Sequence, residues 1–226
     1  MRKHRLALAL AAVLAVCIEV RADPVLELSS GGTTVTIPDG GVLDSNADAG
    51  AITFDNEFRI GEFVTNFTVG VTKPAIGGSG APAMDLSSHS NTPQHGAVLT
   101  IKFTETDFIG LAPINSLLLA ASGDTKGTIS FKAFYDPTNT PFGEGVEFLD
   151  LGPFAGDFSG EITAPLGLIG PYSLTLVGTI TTTGSQGTTF QASLRPNPEP
   201  GSMLLLGIAL VGFVALRRRR LGIAVR

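Results

Sequence analysis

From Tyr172 to Ile180 every second residue turns the same way: Tyr172, Leu174, Leu176, Gly178 and Ile180 alternate with Ser173, Thr175 and Thr179. A period of two is the spacing of one β-strand face, and an amphipathic helix cannot produce it. The pattern recurs at Ala97, Leu99, Ile101 and Phe103, with Thr100 and Lys102 on the other side. It recurs at Ile129, Phe131, Ala133 and Tyr135, against Ser130, Lys132 and Phe134, and at Phe190, Ala192 and Leu194. Phe63 to Val71 predicts another strand, with Phe63, Phe67, Val69 and Val71 inward. Short strands are expected near Val25–Leu28, Thr33–Ile37, Ala51–Phe54 and Phe154–Ile162.

No window between the two ends sustains a helical period. Roughly ten such strands predict an all-β body, two sheets packed face to face in a jelly-roll-like β-sandwich. A parallel β-helix is the runner-up, but no fixed repeat length supports it. Gly184-Ser185-Gln186-Gly187 reads as a hairpin-like turn. Lys73 to Gly96 reads as a long loop, rich in Pro, Gly and Ser, that holds both histidines of the body, and Pro137 to Gly145 as a second turn-rich stretch.

The two ends obey different rules. Residues 1–22 read as an export signal: a basic start, an apolar run from Leu6 to Ile18, then Val20-Arg21-Ala22. Signal peptidase is expected to cut between Ala22 and Asp23, which removes Cys17 and leaves no disulfide to help folding. A lipoprotein reading of Leu14-Ala15-Val16-Cys17 is disfavoured by the bulk of Val16. At the other end, Pro198-Glu199-Pro200 precedes Gly201-Ser202 and the uncharged run Met203–Leu216, then Arg217, Arg218, Arg219 and Arg220. The prolines interrupt any helix arriving from the body. A helix over Gly201–Leu216 would be roughly 24 Å long, short against a hydrocarbon core of about 30 Å. It is apolar on every face, so it needs lipid around it. The four arginines act as a membrane stop on the cytoplasmic side, which puts the body outside.

That leaves three regions: a signal at 1–22, a β-sandwich ectodomain at 23–195 and a C-terminal sorting signal at 196–226. From Asp23 to Pro200 six basic residues face nineteen acidic ones, a balance of −13. Such a body is repelled by nucleic acid and by anionic lipid. Solubility accounts for this charge without a ligand; cation binding is the alternative.

Pro198-Glu199-Pro200, a short apolar helix and a terminal arginine cluster, in that order, resemble the PEP-CTERM sorting signal of Gram-negative and related bacteria. The resemblance implies exosortase, a membrane transpeptidase, as partner, with a cut near the Pro-Glu-Pro and delivery to the surface. The expected course is an inner-membrane-anchored precursor with its body outside the cytoplasm, then a cell-surface or extracellular protein, in contact with exopolysaccharide or a biofilm matrix. The body is similar to a recurring kind of PEP-CTERM ectodomain, through Ala51-Ile52-Thr53-Phe54, Asn66-Phe67-Thr68-Val69, Lys73-Pro74, Ala81-Pro82 to Asp85-Leu86, and Tyr172-Ser173-Leu174-Thr175. That group implies no enzymatic role. The reading is therefore a non-enzymatic exported surface or matrix protein. The alternatives are a carbohydrate- or calcium-binding adhesion module and, behind it, a secreted hydrolase.

Candidate chemistry is sparse. Asp44, Asn46 and Asp48 place oxygen donors at alternate positions, as an EF-hand-like Ca²⁺ loop begins. Ala49 and Asp55 stand where that loop wants Gly and Glu, and a polar turn needs the same residues. No other cofactor is expected. His89, His95 and Asp85 are the residue types of a transition-metal cluster, and with Ser87 or Ser88 those of a hydrolase triad, but no Gly-x-Ser-x-Gly elbow is present. Glu144 with Glu147, or Asp157 with Glu161, could pair as glycosidase carboxylates, though a chain this acidic makes such pairs by chance. There is no Trp and only two Tyr to stack on sugars, and the 14 Phe fall mostly in alternating strands, as core residues do. Asn66-Phe67-Thr68 matches a glycosylation acceptor, but on a strand it reads as structure.

Overall fold

The structure is a computed structural model that describes residues 23–197, apart from 56–57, 93–94, 111–115, 168–169 and 185, together with residues 209, 210 and 213. The described residues form β1 (Val25–Ser30), β2 (Thr33–Pro38), β3 (Ala51–Phe54), β4 (Phe58–Ile60), β5 (Phe63–Val71) and β6 (Met84–Thr92). There follow β7 (His95–Phe108), β8 (Ser116–Asp136), β9 (Val146–Pro165), β10 (Tyr172–Thr183) and β11 (Gln186–Pro196). The body is all-β, as the alternation requires, and every strand pair is antiparallel.

The strands form one continuous sheet, in the order β2-β1-β7-β10-β8-β11-β6-β5-β3, with β4 on β5 and β9 on β8. Two separate sheets were expected; the reason for one is strand β8. Its first half, Leu117–Thr125, pairs with β11, and its second half, Thr128–Asp136, pairs with β10 on the same edge. Strands β10 and β11 therefore run in one direction along β8 and are not partners of a hairpin, contrary to the turn expected at Gly184–Gly187. Strands β6 and β7 do the same along β11 and β10. Where its two halves meet, β8 carries Gly127, where a Cβ would collide with the Thr181 carbonyl of β10. The register between β8 and β9 also shifts between Thr125 and Ile129. A glycine and a register shift are how a long sheet bends.

The bend lays one arm (β2-β1-β7-β10) across the other (β11-β6-β5-β3), and the inner faces share one core. Leu28, Ile101, Phe103 and Leu176 of the first arm share one buried cluster with Phe54, Leu86, Phe190 and Leu194 of the second and with Leu119 and Phe131 of β8. The Phe131 and Phe190 rings cross edge to face at 5.1 Å. Gly70 of β5 lies so close to the Phe103 ring that a Cβ there would sit 2.6 Å from its edge. Burying some thirty apolar side chains at roughly 1.5–3 kcal/mol each is what offsets the chain entropy of so much ordered strand.

Two expectations for the body are corrected. The stretch Lys73–Gly96 is not one loop: it contains strand β6 and the first residues of β7. The residues β6 turns inward are Met84 and Leu86, then Ser88, Ser90 and Thr92, all buried, so the apolar alternation stops after Leu86. Their hydroxyls bond instead, Ser88 Oγ to Thr68 Oγ1 at 2.9 Å and to Ser90 Oγ at 3.1 Å. In β5 the register against β6 shifts between Thr65 and Phe67. That bulge puts Phe63, Thr65, Thr68 and Gly70 inward and turns Phe67, Val69 and Val71 out.

The expected N-terminal signal at residues 1–22, the Pro-Glu-Pro and the arginine cluster lie outside the described residues. Of the expected membrane helix only Ala209, Leu210 and Phe213 are described; they are helical, and Leu210 and Phe213 are exposed. Among the described residues no helix is long and apolar enough to cross a membrane.

Candidate functional site

Strand pairing disperses most of the residues singled out from the sequence. Ser88 points into the core, while Ser87 and His89 point out. His89 Nδ1 lies 2.6 Å from Thr189 Oγ1, and its Nε2 lies 3.4 Å from Asn91 Nδ2. Both oxygens of Asp85 accept hydrogen bonds from Arg195, at 3.0 and 2.8 Å. His95 begins the next strand and is exposed. No nucleophile, base and orienting acid converge here. Among the described residues no group of three or more His, Cys, Asp or Glu is placed to hold a metal ion.

The carboxylate pairs are taken up or too far apart. Glu144 is bridged to Lys102 at 2.6 Å and Glu147 to Lys132 at 2.8 Å. The hydrogen bond to Glu147 holds the Lys132 ammonium above its usual range. Asp157 and Glu161 share one face of β9, four residues or roughly 13 Å apart along the strand, beyond the separation of glycosidase carboxylates. The Asp44 carboxylate accepts from backbone N–H groups: Oδ2 from Gly40 and Oδ1 from Asn46 and Thr53, each at 2.9 Å. Asn46 Oδ1 accepts from the Asp48 N–H, also at 2.9 Å. These are the bonds of an Asx-type turn, which orders the chain between β2 and β3.

Pairing assembles a different feature. Across the outer face of β5, β6, β11, β8 and β9, residues line up in rungs. One rung is Phe67, His89, Thr189, Asp124 and Asp157; the next is Val69, Ser87, Gln191, Ser122 and Ser159. A third is Val71, Asp85, Ser193, Ala120 and Glu161. None of the fifteen is buried. At the usual strand spacing the face is about 19 Å across. Its β5 edge carries an aromatic pair, Phe67 stacked on His89 with centroids 6.1 Å apart and planes at 19°. Asn91 Nδ2 also donates to Asn66 Oδ1 at 3.2 Å. Toward β9 the small residues leave an open groove of about 490 Å³, lined by Ser122, Ser159, Glu161, Gln191 and Ser193 among others. No motif marked Gln191 or Ser193. What the sequence offered was polar alternation opposite the inward Phe190, Ala192 and Leu194.

A second polar group is wholly internal. Lys73 Nζ lies 3.2 Å from Glu105 Oε1, donates to the Thr106 carbonyl at 2.5 Å and sits 4.7 Å from the Phe108 ring centroid. Burial pushes the Glu105 carboxyl up to about 7, against the pull of Lys73. The Tyr172 hydroxyl, whose ring packs 6.0 Å from Phe108, is pushed by burial up to about 12. Among the described residues, Glu105 Oε2 and the Tyr172 hydroxyl have no hydrogen-bond partner. This cluster is enclosed, so it offers no approach to a substrate.

The body ends where the tail begins. Pro196 is paired with Leu117, and the Asn197 N–H donates to the Ser116 carbonyl at 3.0 Å, one residue before Pro198. The PEP-CTERM protein-sorting motif matches residues 198–220, so the chain carries that motif directly after its described β-body.

No curated protein matches the chain. Among solved structures it is similar to a mannan-recognising carbohydrate-binding module at 15% identity and a TM-score of 0.28, covering 65% of this chain and 94% of that one. It is similar to a cleaved adhesin domain of Lys-gingipain from Porphyromonas gingivalis at 12% identity and a TM-score of 0.31, covering 69% and 95%. It is also similar to a tailspike enzymatic domain of a bacteriophage at 10% identity and a TM-score of 0.27, covering 73% of this chain but 18% of that one. The chain thus spans less than a fifth of the tailspike domain. At these TM-scores the likenesses say nothing of what this chain binds.

Proposed function

We propose that the chain is a non-enzymatic exported protein whose β-body is held at the membrane by its tail, cut by exosortase near Pro198-Glu199-Pro200, and passed to the cell surface or the extracellular matrix. The observation that carries this reading is the sorting motif at residues 198–220, set directly after the last hydrogen bond of the sheet at Asn197. A cut at the Pro-Glu-Pro therefore severs no strand pairing among the described residues. Arg217 to Arg220 stay on the cytoplasmic side because moving four guanidinium groups across lipid is costly. The non-enzymatic part of the reading is supported by the burial of Ser88, the pairing of His89 with Thr189 and Asn91 and of Asp85 with Arg195, and the ion pairing of Glu144 and Glu147.

The test is fractionation of a host with and without its exosortase gene. With the enzyme the body is expected in the surface or culture fraction. Without it the full-length chain is expected in the inner-membrane fraction. The same distribution in both hosts overturns the proposal.

A further inference from the structure

We propose that the outer face of β5, β6, β11, β8 and β9 is a platform for a neutral polysaccharide. The inference deepens the surface-protein reading, which supplies the place where such a polymer would be met; the platform itself is argued from its own chemistry.

Phe67 is the first part of the case. The bulge in β5 turns it out of the core, 41% exposed. An isolated exposed Phe needs no explanation, but this one is backed by a second ring lying nearly parallel to it. That second ring, His89, is fixed at both nitrogens, by Thr189 and by Asn91. The result is a preorganised apolar plane bordered by the amides of Asn66 and Asn91. The C–H face of a pyranose ring stacks on such a plane, while its rim of hydroxyls needs donors and acceptors beside it.

Those donors and acceptors continue across the sheet. Ser87, Gln191, Ser122 and Ser159 form a rung of hydroxyls and one amide, next to the groove that their small size leaves open. Each can both donate and accept, as a polyol partner requires. The face spans five strands, long enough for several sugar units in a row.

Charge narrows the partner. Arg195 is engaged by both oxygens of Asp85, and Lys126 lies 3.5 Å from Asp124. Asp157 and Glu161 add two more carboxylates. An anionic polymer meets a net negative face with its cations already paired, and is repelled. A protein partner would want a large apolar centre, and Phe67 is the one strongly exposed large apolar side chain in these three rungs. The uncharged polyol is the chemistry left.

The test is affinity electrophoresis of the full chain, solubilised in a detergent without sugar headgroups, through gels containing hydroxyethylcellulose, galactomannan, arabinoxylan or alginate. Retardation by at least one of the three neutral polymers is expected, and Phe67→Ala and Gln191→Ala should each weaken it about tenfold, roughly the loss of one good contact. Val146→Ala, exposed at the far end of β9 from Asp157, Ser159 and Glu161, should leave it unchanged. Circular dichroism checks each variant; should Phe67→Ala lose its fold, Gln191→Ala alone decides. No retardation by any neutral polymer overturns the proposal. So does retardation by alginate alone, or retardation that neither platform variant weakens. A silent gel with a correctly cut tail would remove the platform and leave the sorting reading standing.

Discussion

The ammonium of Lys73 sits 3.2 Å from Glu105 Oε1, with the two side chains 6% and 0% exposed, and joins the segment after β5 to β7. A pair so enclosed gains Coulomb energy in a low dielectric, but both charges lose their water. The balance for Glu105 falls against the ion: burial outweighs Lys73, and its carboxyl is raised from 4.5 to about 7.

A carboxyl raised in the folded state favours folding in its protonated form. Its contribution is fully present below the unfolded value near 4.5 and is lost as pH rises through about 7. The size is roughly 3 kcal/mol at about 1.4 kcal/mol per pH unit. Urea denaturation should therefore show a loss of stability between pH 5 and pH 8 that Glu105→Gln largely removes. Equal pH slopes in parent and variant would show that Glu105 is not the source.

Strand β6 depends on hydroxyls where other strands use apolar groups. Ser88 Oγ holds Thr68 Oγ1 and Ser90 Oγ inside the sheet. Ser88→Ala strands both partners and should cost about 1–3 kcal/mol, read as a shift in the urea midpoint. Thr68→Ala combined with Ser88→Ala should cost less than the sum of the two changes, because each removes a group the other leaves unpaired.

The corner in β8 requires Gly127, since a Cβ there meets the Thr181 carbonyl of β10. Gly127→Ala should destabilise by about 1–3 kcal/mol or more. The same change at Gly32, where a Cβ meets nothing within 4 Å, tests the φ of +82° there and should cost less, about 1 kcal/mol. Thermal melts of the two variants in that order of stability would support the corner; the reverse order would contradict it.

Asp44 organises its turn through three backbone N–H groups. Asp44→Ala should lower stability by about 1–3 kcal/mol. Because those oxygens are already engaged, the parent should melt at the same temperature in calcium as in chelator. A calcium-dependent rise that Asp44→Ala abolishes would restore the metal reading.

The sequence disclosed the all-β class because its inward rows at Leu99–Phe103, Ile129–Ala133 and Leu174–Ile180 are apolar and strictly alternate. It concealed β6, whose inward Ser88, Ser90 and Thr92 look like loop residues until pairing brings their hydroxyls together. It placed Phe67 inward because a bulge has no hydrophobic signature, and one extra residue reverses every side chain beyond it. The single bent sheet was hidden for a similar reason: Gly184 and its neighbours carry turn chemistry whether a chain reverses or merely changes arms. Of the polar platform only His89, Ser87, Asp85 and the β9 acids were visible as candidates, read as a triad, a metal cluster and a carboxylate pair. Register, not spacing, sets them beside Gln191 and Thr189. The tail was the most legible part, because the motif matched at residues 198–220 is a linear pattern of residue types that no strand pairing has to assemble.

The most direct measurement is the intact mass, with C-terminal peptide assignment, of the chain recovered from the surface of a host that carries exosortase. The account predicts a chain beginning at Asp23 and ending at or beside Pro198-Glu199-Pro200, with Met203–Arg226 gone and the sheet through Asn197 complete. A surface chain that still carries Arg217 to Arg220 would contradict it.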